Sequence, residues 1–170
     1  GATLEPEGAE GVAHLAEHMA FKGTPTLDAQ GIARAVERRG GEIDAFTDHY
    51  ETTYIATQPG PATADIFPIL ADMLARPRLE PADLEKERSV IIEELRTYED
   101  EPSTIAYQAA LAGLWRGWPQ GRPVGGRAAT VARLSEAQVR AWFAGEYGAD
   151  RMVIGAAGAV EHRALVALAE

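Results

Sequence analysis

The chain has 170 residues and a formal net charge of −10, with 46% hydrophobic and 25% charged residues and no cysteine. That length allows one domain with a sizeable core, and the composition argues against disorder. The acidity disfavours nucleic acid or an anionic membrane as a partner, no apolar run reaches the 18 residues of a spanning helix, and any metal must be held by nitrogen and oxygen ligands.

Residues 1–10 read as a polar entry loop with no signal-peptide pattern. A helix is predicted from Val12 to about Phe21, closed by the glycine and proline of "KGTP". A second helix follows, capped by Asp28, with Ile32, Ala35 and Val36 on its apolar face and Gly40-Gly41 at its end. "EIDAFTDHYETTYIAT" switches to alternation and β-branched residues, which predicts two strands with a turn around Asp48-His49. Ile66, Ile69, Leu70, Met73 and Leu74 return to helical spacing, with Pro68 as an interruption. A long helix runs through "EPADLEKERSVIIEELRTYEDEP" and is stopped by Pro102, and another covers "STIAYQAALAGLW". "RGWPQGRPVGGRAATVARL" reads as irregular. Ser135 and Gln138 form a predicted capping box for the next helix. "RMVIGAAG" is expected to be a buried strand, and "EHRALVALAE" a final helix. The pattern gives an α+β fold, with helices packed on a small sheet of about three strands.

Two of the four histidines lie in "HLAEH", residues 14–18. Positions four apart share one face of a helix, so His14 and His18 can direct two imidazoles at one ion. Zinc suits imidazole and carboxylate ligands with one position left for water. Glu17, beside both histidines, is placed to take a proton from that water. The third ligand is sought on the long helix, where Glu87, Ile91, Glu94 and Tyr98 form a stripe at spacings of four, three and four. A carboxylate within a largely apolar face needs a charged partner. Glu94 fits best as ligand and Glu87 as a hydrogen-bond acceptor for a ligand imidazole. Spacing alone leaves Glu93 open beside Glu94. His49, at the strand turn beside Asp48, is a rival ligand, whereas His162 reads as a surface residue.

Taken with the glutamates downstream, "HLAEH" resembles the inverted zinc motif, H-x-x-E-H, of the M16 zinc metallopeptidases, the pitrilysin and mitochondrial processing peptidase group. "HMAFKGT", "GGEIDAFTDHYETTY", "GRPVGG" and "MVIGAAG" are similar to further family segments. The resemblance places the third ligand 76 residues beyond His18, on Glu94, and the supporting glutamate on Glu87. It implies a LuxS/MPP-like metallohydrolase fold, with helices on one face of a mixed sheet broader than the strands visible here. It also implies that residues 1–170 are one N-terminal M16 domain truncated at both ends, lacking its first strands.

The expected activity is that of a zinc-dependent endopeptidase acting on extended peptides through a zinc-activated water, with Glu17 as general base. The peptide would add as a strand along Asp44, Ala45, Phe46 and Thr47, a segment short and polar enough to be an edge. Asp44 stands where the family usually has asparagine. The family also implies a second homologous domain or subunit, and the composition is compatible with a bacterial cytoplasmic or periplasmic setting. The alternative is a non-catalytic metal-binding scaffold or interaction subunit, whose mark would be loss of Glu17 or of a ligand.

Overall fold

The computed structural model describes residues 1–170. Its helices are α1 (Val12–Ala20), α2 (Ala29–Glu37), α3 (Thr63–Ala75), α4 (Pro81–Glu99), α5 (Pro102–Leu114), α6 (Ala128–Val131), α7 (Glu136–Glu146) and α8 (His162–Ala169). Strands β1 (Glu42–Thr47) and β2 (Thr52–Thr57) lie between α2 and α3.

The caps read from sequence are formed. The Asp28 carboxylate accepts from the Gly31 N–H at 2.7 Å at the start of α2. At α7, Ser135 and Gln138 exchange side-chain and backbone bonds as a capping box. Pro68 lies inside α3 without ending it. It stands at the sixth position, where it removes one backbone donor, and burial of Ile66 and Met73 on the same helix holds the segment in place. Pro102 begins α5, as its missing N–H permits at a first helical position. One turn of helix, α6, interrupts the stretch expected to be irregular.

β1 and β2 form an antiparallel pair with Ile43 opposite Ala56, Ala45 opposite Tyr54 and Thr47 opposite Thr52. These pairs share the half-buried face, while Glu42, Asp44 and Phe46 point to solvent. The helices pack on that inner face, with α1 against both strands, α2 against β1 and α3 against β2. The molecule is thus an α+β fold with helices against a small open sheet.

The third strand expected at 151–158 does not form. The sheet contains only β1 and β2, and residues 152–157 make no ladder. Val153 is 97% exposed. The apolar, β-branched composition is that of a strand, but pairing requires a neighbouring backbone, and no strand lies alongside this segment.

The main core joins α1, α4, α6 and α7 through residues that include Leu15, Met19, Ile91, Val131, Leu134 and Val139. Seven of the nine residues of α1 are buried. The helix that carries "HLAEH" is therefore the central helix of the core.

Candidate metal centre

The start of α1 is held by an unusual acceptor. Glu5, itself buried, takes the Gly11 N–H at 3.1 Å and the Ala13 N–H at 2.9 Å. These are donors that the first turn of a helix cannot satisfy internally. Burial raises the Glu5 carboxyl to about 7, against the opposing pull of those two N–H bonds. Gly11 adopts a left-handed φ of 95° and lies so close to Gly125 and Val131 that a Cβ would collide with both.

From this anchored helix, His14 and His18 project with ring centroids 4.7 Å apart and planes at 85°. Both Nε2 atoms face Glu94 on α4, at 3.9 Å from His14 and 3.7 Å from His18 to the same Oε2. One ligand atom from each of the three residues lies within 4.8 Å of the others. Ligands about 2.0–2.1 Å from a tetrahedral zinc lie roughly 3.3 Å from one another, so a small contraction brings this set into range. The donor set also fits the ion chemically. Burial, assisted by the neighbouring His18, lowers the His14 pKa to about 4. The imidazole is therefore neutral at pH 7, the form that binds metal.

Glu87 lies one helical turn behind Ile91 on α4 and is only 6% exposed. Its Oε2 accepts from His18 Nδ1 at 3.1 Å, and its Oε1 pairs with Lys22 Nζ at 2.8 Å. It meets His18 on the side away from Glu94 and is itself paired with a cation. Glu93, one residue before Glu94, points outward and pairs with Arg96. A helix advances about 100° per residue, which is enough to separate the two glutamates completely. His49 does not join the cluster; its ring nitrogens lie near Asp48 Oδ1 and the Arg122 carbonyl, each at 3.3 Å. His162 is exposed at the start of α8.

Glu17 is buried beside the histidines, and burial raises its pKa above the ordinary value while a bond from Thr47 opposes the rise. Thr47 Oγ1 donates to Glu17 Oε2 at 2.5 Å. Of the four residues expected along the peptide edge, Asp44 and Phe46 are exposed on β1, whereas Ala45 and Thr47 face inward. Asp44 Oδ1 accepts from the Ala45 N–H at 2.8 Å. The edge of β1 away from β2 carries no partner strand.

Three contacts were not anticipated from sequence: Glu5 under α1, Lys22 on Glu87, and the Thr47 hydroxyl on Glu17. Only Thr47 carried a usable signal, because alternation through Ile43, Ala45 and Thr47 sets it on the inner face. Glu5 and Lys22 look like ordinary surface charges until the chain folds.

Two histidines and a distant glutamate, with a second glutamate beside them, form the donor set of a metal centre with a proton-accepting group at hand. The family model for Insulinase (Peptidase family M16) matches residues 1–127, and the chain belongs to that family. It is 39% identical over 170 residues to an uncharacterized zinc protease of Mycobacterium bovis, covering 99% of this chain and 39% of that protein. It is 31% identical to cytochrome b-c1 complex subunit 1 of Bos taurus, covering 100% of this chain and 35% of that subunit. Among solved structures, the periplasmic protease PqqL of Escherichia coli superposes with a TM-score of 0.87 at 25% identity, covering 99% of this chain and 19% of PqqL. The chain thus spans about two-fifths of the length of the curated relatives it matches.

Proposed function

We propose that the protein carrying this chain is a zinc-dependent endopeptidase that hydrolyses extended peptides. The observation that carries the reading is the convergence of His14, His18 and Glu94 beside a buried Glu17. His14, His18 and Glu94 would hold the ion, and Glu87 would orient His18. When bound, zinc supplies a Lewis acid that acidifies water and polarises the scissile carbonyl. Glu17 moves the protons: with Oε2 occupied by Thr47, its Oε1 takes the proton of the attacking water and returns it to the leaving amine. The free edge of β1 offers backbone groups along Asp44, Ala45, Phe46 and Thr47 to a peptide strand.

We assign the chain to one N-terminal M16 domain that works with a second homologous domain or subunit. Strong net acidity argues against nucleic acid, and no helix is long and apolar enough to cross a membrane. A bacterial cytoplasmic or periplasmic setting agrees with the bacterial relatives and the periplasmic PqqL.

A second reading, a non-catalytic metal-binding scaffold or interaction subunit, is motivated by the likeness to a subunit of a bovine complex. Zinc content and β-casein cleavage of the full-length protein and of Glu17→Gln separate the two. The peptidase reading expects zinc in both and a loss of about 10²–10⁴-fold in the variant. Equal cleavage by the zinc-loaded variant refutes the role of Glu17, and zinc without cleavage in the parent favours the subunit.

A further inference from the structure

We propose that Thr47 is a positioning residue for Glu17, held in turn by Thr52 across the strand pair. The inference rests on the peptidase reading above and gives the Thr47 side chain a task different from substrate contact.

A glutamate on a helix has three rotatable side-chain bonds, so its carboxylate needs an external restraint to keep one place. The histidines are directed at Glu94 and provide no such restraint. The restraint comes from β1, where the Thr47 hydroxyl donates to Glu17 Oε2 at 2.5 Å. A hydroxyl has one proton. With that proton given to Glu17, Thr47 Oγ1 is an acceptor toward Thr52 Oγ1, which lies 3.3 Å away. The hydroxyls therefore run in one direction, from Thr52 to Thr47 to Glu17.

Strand register makes this possible. Thr47 and Thr52 are directly opposed at the last rung of the β1–β2 ladder, both half-buried on the face toward α1. Two residues along β2 on the same face, the Tyr54 hydroxyl meets the Tyr147 hydroxyl at 2.8 Å, just beyond the end of α7. That bond ties β2 to the helical layer, so Thr52 and Thr47 are carried on a strand fixed at a second point. One oxygen of Glu17 is thereby anchored, and the other is left for water. The Thr47 backbone can still lie along a bound peptide while its hydroxyl is engaged inward.

The test uses the full-length, zinc-loaded protein and an internally quenched peptide built on a β-casein site that the parent cleaves. Thr47→Val keeps the shape and removes the donor. Its expected effect is a fall in kcat of about 10–100-fold, the scale of a misplaced reacting group, with KM and zinc content unchanged. Thr47→Ser restores kcat, and Thr52→Val gives a smaller loss. Parent kcat in Thr47→Val overturns the proposal, as does a raised KM with kcat unchanged, which would place the side chain on the substrate. A readout independent of activity is the thermal unfolding of metal-free Glu17→Leu, which removes both acceptor oxygens, of Thr47→Val and of the double variant. Their Tm shifts should fail to add by about 2 °C or more, and additive shifts overturn the proposal. If zinc-loaded Glu17→Gln cleaves at the parent rate, the peptidase reading fails, while this cycle still decides whether Thr47 holds Glu17.

Discussion

Residues 12–20 and residues 152–160 are both short and largely apolar, yet they occupy opposite surroundings. In the first, Leu15 is 0% exposed and Met19 1%, enclosed by α4, β1 and α7. In the second, Val153 is 97% exposed and Ile154 53%. Composition is not what separates them. A helix satisfies its own backbone and needs only side-chain neighbours to be buried, whereas a strand must also find another backbone beside it. The lesson for the site is that its two histidines sit on the best-supported helix of the molecule, which fixes their spacing.

The contrast can be broken or sharpened experimentally, starting with the largest effect. Glu94→Ala, which removes a proposed ligand, should lower zinc affinity beyond the roughly 100-fold upper range for supporting residues, measured by competition with a chelator. Leu15→Ala should cost about 2–5 kcal/mol in denaturant unfolding, because it opens a cavity in an enclosed position. Glu5 links stability to pH. The folded chain keeps its proton to about 7, whereas the ordinary carboxyl releases it near 4.5. The stabilisation of the protonated form is complete below about 4.5 and is lost as pH rises through about 7. Relative to Glu5→Gln, the parent should lose on the order of 3 kcal/mol across that window, followed by unfolding at several pH values. Glu87→Gln should weaken zinc binding about 10–100-fold while leaving the fold intact. Val153→Ala should change stability by no more than about 0.5 kcal/mol. A cost equal to that of Leu15→Ala would erase the distinction between the two regions.

Much of this was legible in the residue order. Periodicity located the main helices and the hairpin, and Asp28 and Ser135 marked helix starts through bonds that span only three residues. "HLAEH" declared itself because helical geometry puts positions four apart on one face. The strand expected at 151–158 does not form, because an apolar, β-branched run shows what a segment can do only where a partner backbone is present. Glu93 stays open beside Glu94 on spacing alone, because residue order does not say which face of the helix meets the histidines.

The sequence by itself determined most of the local elements and put two histidines and a glutamate on one short helix, because those depend on contacts within a few residues, and the family resemblance pointed from that helix to Glu87 and Glu94. Tertiary structure decided what lies across from them. It turned Glu94 inward and Glu93 toward Arg96, set Lys22 and His18 on either oxygen of Glu87, and brought Thr47 to Glu17 across 30 positions of chain. Such contacts depend on how helices and strands pack in three dimensions, and no local pattern of residues encodes them.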